Sequence, residues 1–187
     1  MHRLEAYATL ALIFIVGLTI LYLPVLFVLK RRGKTIPRQI SYLGLFCSLF
    51  LIVFATILFT PISFQPETHT LNLIPFAWLG TGDDLYLFTV EKVPNILLFI
   101  PLGFFLPAVF QKMRRLPAAV LVSFLTTFSI EFFQFFIGRS SDIDDVIANL
   151  SGTVIGYLVF GLLDRVVGNR QFWNKFTARS GGRRAQR

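Results

Sequence analysis

The sequence is poor in the residues that most often build redox, metal and phosphate sites. Its single cysteine, Cys47, excludes an intramolecular disulfide, and its two histidines, His2 and His69, lie far apart in the sequence. There is no paired-cysteine metal motif and no glycine-rich phosphate loop. Disulfide scaffolds, zinc modules and nucleotide-binding loops are therefore poor explanations of this chain.

Charged residues are also scarce. They make up 15% of the 187 residues, whereas 55% are hydrophobic, and the mean hydropathy is +0.68. Apolar stretches long enough to cross a hydrocarbon layer of about 30 Å cover residues 7–29, 40–60, 94–110, 116–137 and 143–167. The sequence therefore predicts an all-α membrane protein in which five transmembrane helices form one bundle and one domain, residues 1–168. Residues 169–187 are basic and glycine-rich, and we expect them to form a disordered cytoplasmic tail.

The distribution of basic residues predicts the orientation of this bundle. Fifteen of the 18 lysines and arginines lie in the loop after the first stretch, in the loop after the third, or from Arg165 onward. Because cytoplasmic loops are enriched in Lys and Arg, we expect the amino terminus outside and the carboxy terminus inside the cell. The net charge of +8 then reflects clusters beside anionic membrane lipids, and we expect no nucleic-acid partner.

The predicted outer connection between the second and third helices, residues 61–93, is longer than a simple turn. It carries apolar and aromatic residues, among them Trp78 and Tyr86. This segment could cover an outer pocket as a lid, or it could only anchor the chain in the membrane interface.

With this orientation, polar residues that are distant in the sequence converge at the outer end of the bundle. The third helix begins there, the fourth ends there and the fifth begins there again. The polar residues near these three helix ends are Asn95, Glu131, Gln134, Arg139, Asp142, Asp144, Asp145 and Asn149. We therefore predict one polar cluster in the outer leaflet.

Helical spacing arranges part of this cluster into stripes. One face of the fourth helix carries Ser123, Thr127, Glu131, Gln134 and Gly138. One face of the fifth carries Asp145, Asn149, Gly152 and Gly156. The two glycines are a small-residue pair that permits close approach of another helix. We expect the two stripes to face each other.

Glu131 is the residue of this cluster that a purely structural role explains least well. It lies seven residues before Gly138, which places it roughly 10 Å below the end of the fourth helix. A charged carboxylate at that depth costs up to about 3 kcal/mol unless it is protonated, paired or hydrated. We expect Arg139, Asn95 and Asn149 as its partners. The simpler alternative is a Glu131–Arg139 ion pair that only holds the bundle together.

The cluster allows two kinds of chemistry. Asp142 and Asp145, with other carboxylates, could bind a divalent cation, Mg2+ or Ca2+, that bridges to a phosphate. Alternatively, Glu131 could act as a general acid or base on a substrate oriented by Arg139, which makes these two residues the catalytic candidates. Asp142 or Asp144 could instead cap the fifth helix. Spacing alone does not choose between these roles.

Several motifs follow one another in order between about residues 40 and 165. They are NLIPF at 72–76, NILLFIPLGF at 95–104, SIEFFQ at 129–134, GRSSDIDD at 138–145 and NLSG at 149–152, with Gly156 beyond. Together they resemble the VanZ-like family of bacterial membrane proteins. The resemblance implies a multi-pass protein of the bacterial cell membrane, in a family whose namesake contributes low-level resistance to the glycopeptide teicoplanin. It implies no established reaction, so whether the protein is an enzyme stays open.

Carried over by position, the polar signature of that family falls on Asn95, Glu131, Gln134, Arg139, Asp142, Asp145 and Asn149. We expect an outer-leaflet binding protein that acts in cell-envelope biology or in glycopeptide and lipoglycopeptide resistance. Its ligand would be a phosphate-bearing lipid, a lipid-linked cell-wall precursor or the lipid tail of a lipoglycopeptide. A membrane enzyme acting on a lipid-linked, phosphate-bearing substrate is the first alternative, and a small transporter is the second.

Overall fold

The protein is described by a computed structural model that covers residues 2–58 and 71–177. The long helices are α1 (His2–Arg31), α2 (Ile36–Val53), α4 (Val93–Val109), α5 (Leu116–Phe136) and α6 (Ile143–Val167). The shorter helices are α3 (Asp84–Leu87) and α7 (Gln171–Phe176). Two strands of two residues, β1 (Leu71–Asn72) and β2 (Ser141–Asp142), pair in parallel. The chain also contains two π-helical turns, Phe54–Leu58 and Phe88–Lys92, and one 3-10 turn, Gln111–Arg114.

Five helical segments in the described part of the chain are long and apolar enough to cross a membrane. They are Leu12–Arg31, Ile36–Ile57, Asp84–Val109, Leu116–Phe136 and Ile143–Val167. The predicted all-α membrane fold with five spans is therefore confirmed. We call the end of the bundle that carries the α1–α2 turn and residues 110–115 the basic end, and the opposite end, where α5 joins α6, the polar end.

The third span begins earlier than the sequence predicts. It starts at Asp84 rather than near Pro94, because α3, the π turn Phe88–Lys92 and α4 form one continuous helix. Glu91, Lys92 and Pro94 together look like a helix boundary in the sequence. In the structure Lys92 is neutralised by acids at the start of α6, and Pro94 follows the π turn within the first turn of α4.

Helix α4 lies at the centre of the bundle and packs most closely against α6. A Cβ atom at Gly152 would overlap the carbonyl oxygen of Ile96, and one at Gly156 would overlap that of Ile100. Gly103 of α4 makes the reciprocal approach to Thr153. Gly152 and Gly156 of the α6 stripe therefore face α4 and not α5. The expectation that the two stripes face each other holds for polar residues such as Asn149, which donates to Thr127 of α5, and not for the two glycines.

The apolar core lies around α4 as well. One buried cluster consists of Leu45, Ile52, Phe99, Leu102, Leu106, Val109 and Ile130. Helix α1 is peripheral, and its described contacts are with α2 and the π turn that continues it, through pairs such as Phe14 with Phe50, Phe14 with Phe54 and Tyr22 with Phe46. The central position of α4 gives it contacts with α2, α5 and α6.

At the basic end, a second cluster contains Ala108, Phe160, Trp173 and Phe176. Helix α7 therefore packs on the bundle, although it lies inside the segment expected to form a disordered tail from residue 169. The ordered part of the chain extends at least to Thr177, which is buried, because Trp173 and Phe176 supply apolar surface to the core. Residues 178–187 of the predicted tail lie outside the described residues.

Buried Arg38 joins three helices at this end. Its guanidinium donates hydrogen bonds to the carbonyl oxygens of Ala108 at 2.8 Å, Val109 at 2.5 Å and Phe176 at 3.1 Å. Ala108 and Val109 are the last residues of α4, and Phe176 is the last of α7, so Arg38 satisfies carbonyls that have no partner within their own helices.

Candidate functional site

A cavity of about 600 Å³ opens at the polar end between α2, α4, α5 and α6. All of the predicted site residues line it: Asn95, Glu131, Gln134, Arg139, Asp142, Asp145 and Asn149. Lys92, Thr56 and Ser140 are further polar residues of the lining. The structure therefore brings together, in one cavity, predicted residues that are up to 54 positions apart in the sequence.

The connection between α5 and α6 places Arg139 at this cavity. Helix α5 ends in a Schellman motif, in which the N–H of Gly138 donates to Phe135 and the N–H of Arg139 donates to Gln134. Gly138 adopts φ 84°, a left-handed conformation that favours glycine. The motif turns the chain back over the end of α5, so Arg139 lies beside the helix that precedes it.

Two residues of the cavity bind the end of the second span. Arg139 Nη1 donates to the carbonyl oxygen of Thr56 at 2.9 Å, and Gln134 Nε2 donates to the same oxygen at 3.1 Å. Thr56 belongs to the π turn that continues α2, and carbonyls in the last turn of a helix need outside donors. A cation at this end also interacts favourably with the helix dipole. Arg139 and Gln134 thus fix one wall of the cavity.

Glu131 is buried, with 6% of its surface exposed, and one of its oxygens accepts two hydrogen bonds. Ser141 Oγ donates to Glu131 Oε2 at 3.0 Å, and the backbone N–H of Asp142 donates to the same atom at 3.1 Å. The described hydrogen bonds of this carboxylate therefore go to β2 and not to the expected partners Arg139, Asn95 and Asn149. The difference arises because the chain after α5 brings β2 to Oε2, while Arg139 donates to the Thr56 carbonyl at the end of the second span.

Lys92 is the missed polar residue that most changes the interpretation of the site. Its Nζ lies 2.9 Å from Asp145 Oδ1 and 3.1 Å from Asp142 Oδ2, and 5% of its side chain is exposed. The ammonium group occupies the place between these two carboxylates that the predicted divalent cation would need. No group of three or more His, Cys, Asp or Glu suited to a metal ion occurs in the described ranges 2–58 and 71–177. The assignment of Asp142 and Asp145 as metal ligands is therefore not supported, because Lys92 already balances them.

Asp142 is the amino-terminal cap of α6. Its Oδ1 accepts a hydrogen bond from the N–H of Asp144 at 2.9 Å and another from Asn72 Nδ2 at 3.1 Å. Asn72 is opposite Asp142 in the parallel β1–β2 pair. The capping interpretation is confirmed for Asp142, and the same carboxylate ties the loop before α3 to the site.

Asp144 has a different role from the predicted cap. Its Oδ1 accepts a hydrogen bond from the N–H of Phe76 at 2.8 Å. Farther along this loop, Trp78 stacks on Phe88 with ring centroids 6.0 Å apart. The part of the predicted outer loop that follows residue 70 is therefore fixed against α6 and against the π turn that precedes α4, while residues 61–70 lie outside the described residues.

Below the cavity, the polar stripe of α5 is bonded to α6. Thr127 accepts a hydrogen bond from Asn149 Nδ2 at 2.7 Å, and Ser123 shares one with Thr153 at 2.5 Å. Ser123, Thr127 and Thr153 are fully buried. These side chains bond to one another between closely packed helices, which does not favour a transport path along the stripe.

A family model described as VanZ/LLP1 matches residues 42–164. The chain belongs to the VanZ/LLP1 family. Among curated proteins, Protein VanZ of Enterococcus faecium is 33% identical over 145 residues, which cover 72% of this chain and 85% of that protein. No solved structure matches the chain.

The VanZ/LLP1 match runs from α2 to α6 and contains the whole lining of the cavity, residues 55–149. All of α1 and all of α7 lie outside it. The resemblance seen in the sequence motifs is confirmed, and the chain is a VanZ-like multi-pass membrane protein. The site residues of this VanZ/LLP1 member are thus held by the part of the chain that defines the family.

The sequence contained a signal for Lys92. Besides Arg3 and Glu5 of the peripheral helix α1, the described part of the polar end carries the basic residues Lys92 and Arg139 and a larger number of carboxylates: Asp83, Asp84, Glu91, Glu131, Asp142, Asp144 and Asp145. Charged groups placed at the end of membrane helices need partners. Since Arg139 alone leaves most of these acids unbalanced, Lys92 was the remaining candidate.

Proposed function

We propose that this cavity faces the outer leaflet of the bacterial cell membrane and binds an envelope lipid, a lipid-linked cell-wall precursor or the lipid-bearing part of a lipoglycopeptide. Binding there would contribute to glycopeptide or lipoglycopeptide resistance. The observation that carries the proposal is the convergence of seven polar residues from three segments of the chain on one open cavity inside an apolar bundle. Ionisable groups inside a membrane bundle are rare and pair with one another, and they typically mark substrate or ion pathways.

The balance of charge in the lining narrows the class of ligand. The lining contains two cationic side chains, Lys92 and Arg139, and four carboxylates, Glu91, Glu131, Asp142 and Asp145. An excess of acceptors favours a ligand that brings hydroxyl, amide or ammonium donors together with any phosphate. Lipid-linked precursors and lipoglycopeptides both combine such donors with an acyl chain.

The cavity also has an apolar side that suits the lipid part of such a ligand. Ala55, Val90, Leu98 and Ile130 belong to its lining. An acyl chain against these residues would remove apolar surface from water, which contributes about 25 cal/mol per Å². A ligand with a polar head and an acyl chain therefore fits both sides of the cavity.

The test is drug susceptibility in a glycopeptide-sensitive bacterial host that expresses the chain. Teicoplanin, vancomycin and a lipoglycopeptide are compared, with Glu131→Gln and Arg139→Ala as variants and Phe133→Leu as the control. Phe133 is exposed on the outside of α5, away from the cavity. Both site variants should abolish the resistance while accumulating in the membrane at the level of the control. Unchanged resistance in both would overturn the proposal.

The choice of glutamine keeps the test specific. In Glu131→Gln, the amide oxygen of the new side chain would still accept the hydrogen bonds that Ser141 and Asp142 now donate to the carboxylate. Loss of function in this variant would then report the missing charge or proton rather than a lost contact. Resistance only to the drugs that carry a lipid tail would identify that tail as the ligand. Equal resistance to teicoplanin, vancomycin and the lipoglycopeptide would identify a cell-wall precursor as the ligand.

A second candidate is an enzyme that acts on a lipid-linked, phosphate-bearing substrate. The observation in its favour is that both hydrogen bonds of Glu131 end on Oε2, which orients the carboxylate at the cavity as a general acid or base requires. Purified protein incubated with labelled envelope lipids should then give a new product that Glu131→Gln does not give. The absence of turnover over a broad panel of lipids would exclude this candidate.

A further inference from the structure

A second, smaller pocket lies beside the cavity and shares Lys92 with it. Its volume is about 140 Å³, the space of roughly four or five water molecules at about 30 Å³ each. The lining consists of Phe76, Trp78, Phe88, Lys92, Ile96, Asp144, Ile147, Ala148 and Ser151. This pocket is therefore large enough for a small head group and is mostly apolar and aromatic.

Asp144 lines this pocket and has one carboxylate oxygen without a partner among the residues that the structure describes. Only 3% of the residue is exposed, and its Oδ1 is occupied by the N–H of Phe76. Oδ2 is buried and has no hydrogen-bond partner among residues 2–58 and 71–177. A buried charged oxygen without a partner is costly, so its presence points to a group that is supplied from outside the described chain.

The nearest cation of the chain is committed elsewhere. Lys92 lines the pocket, but its Nζ is bonded to Asp142 and Asp145 on the side of the larger cavity. Asp144 lies in the first turn of α6, where the helix dipole favours a negative charge. The pocket thus offers a carboxylate with an unfilled acceptor position.

Aromatic rings form the rest of the pocket wall. Trp78 and Phe88 are stacked, with an angle of 26° between their planes. Phe76 adopts φ 60°, a left-handed conformation that is uncommon for a non-glycine residue, and Asp144 holds it in place by accepting the hydrogen bond of the Phe76 N–H. Aromatic faces attract organic cations, most strongly where water is excluded.

We propose that this pocket binds an ammonium group, with Asp144 Oδ2 as the counter-ion and the rings of Phe76, Trp78 and Phe88 as the walls. The ammonium group belongs either to a small amine or to the head group of a membrane lipid. The excess of carboxylates at the polar end attracts such a cation before it binds. The site is separate from the larger cavity, and its test does not depend on any resistance phenotype.

The test uses Trp78 as a reporter on the full chain, purified in detergent. The chain has two tryptophans, so Trp173→Phe leaves Trp78 as the only one. Choline and ethanolamine are titrated against sodium chloride at the same ionic strength. We expect a saturable change in Trp78 emission with both amines, and an at least tenfold weaker affinity in Asp144→Asn, whose amide oxygen still accepts from Phe76. Asp83→Asn changes an exposed carboxylate at the same end and should bind as the parent does.

Three comparisons keep the proposal falsifiable. 3,3-Dimethyl-1-butanol has the shape of choline without the charge, and it should give no saturable response. Phe88→Leu keeps every charge and removes one ring, so it should weaken the binding of choline. Equal affinity in Asp144→Asn and the parent, or equal binding of the neutral alcohol, would overturn the proposal.

The source of the ammonium group is decided in lipid nanodiscs. Discs of phosphatidylglycerol alone are compared with discs that also contain phosphatidylethanolamine. If the lipid head group is the ligand, the second kind of disc alone should change the emission of Trp78 and reduce the apparent affinity for ethanolamine. If a small amine is the ligand, the affinity for ethanolamine should be the same in both. A lack of ethanolamine response in the discs of phosphatidylglycerol alone would overturn the proposal.

Discussion

Lys92 Nζ lies 2.9 Å from Asp145 Oδ1 and joins the start of α4 to the first turn of α6. A second carboxylate, that of Asp142, is 3.1 Å from the same nitrogen. The lysine side chain is buried, and each aspartate is about a quarter exposed. One cation thus balances two acids at the wall shared by the cavity and the smaller pocket.

Replacing this lysine by methionine should destabilise the fold. Lys92→Met leaves Asp142 and Asp145 beside each other without a cation. We expect the free energy of unfolding to fall by about 3 kcal/mol, which is the lower end of the range for a broken buried ion pair, because both acids are partly exposed. The apparent melting temperature in detergent is the measurement. Lys92→Arg keeps the charge and should lose much less, so equal losses in the two variants would contradict an electrostatic role.

The close approach of α4 and α6 predicts a strong effect of single methyl groups. Gly152→Ala and Gly156→Ala each place a Cβ atom against a backbone carbonyl of α4, and overpacking of this kind costs about 1–3 kcal/mol. We expect lower accumulation in the membrane and a lower melting temperature for both variants.

Gly161→Ala is the matched control for these two changes. Gly161 lies on the same helix, but a Cβ atom there meets no other atom within 4 Å. The substitution should be neutral or should stabilise the helix by up to about 1 kcal/mol, because alanine has the higher helix propensity. A loss of stability as large as that of Gly156→Ala would show that the contact with α4 is not the cause.

Arg38 should be required for the docking of α7. Arg38→Gln removes a charged group that donates hydrogen bonds to Ala108, Val109 and Phe176. Each hydrogen bond from a charged group contributes about 1.5–3 kcal/mol to the stability of the fold. We expect faster trypsin cleavage at Arg170 and Lys175, which border or belong to α7. Arg32→Gln removes the same charge from an exposed turn and should leave the cleavage rate unchanged.

The orientation of the bundle can be measured with single cysteines. In a Cys47→Ser background, Ser140→Cys places a thiol at the polar end and Gln111→Cys places one at the basic end, and both positions are exposed. Because the basic residues predict that the polar end faces outward, a membrane-impermeant maleimide should label position 140 but not position 111 in intact cells. The reverse pattern would show that the cavity opens to the cytoplasm.

The sequence was sufficient to predict the number of spans and seven of the residues that line the cavity. Long apolar runs define the spans, and helical spacing together with chain direction brings Asn95, Glu131 and Asn149 to one end. Both arguments depend only on the geometry of regular helices. They therefore succeed wherever the chain is a regular helix.

Individual partners could not be predicted in this way. Glu131 bonds to Ser141 and the Asp142 N–H because β1 and β2 pair, and a pair of two-residue strands leaves no periodic signal. The start of the third span was misplaced because Lys92 resembles a helix boundary until its acidic partners are known. The apolar residues Trp173 and Phe176, within a basic segment, were the overlooked signal for α7.

The peripheral place of α1 has a consequence for the evolution of the chain. Among the side chains that the structure describes, none of α1 lines either pocket, the contacts of this helix are with α2 and the π turn that continues it, and the family match begins after it, at residue 42. Selection on the proposed ligand binding would therefore act on α1 only through its packing against α2 and lipid. We expect α1 to tolerate substitution, or exchange for another membrane anchor, better than the segment from α2 to α6 that holds the cavity.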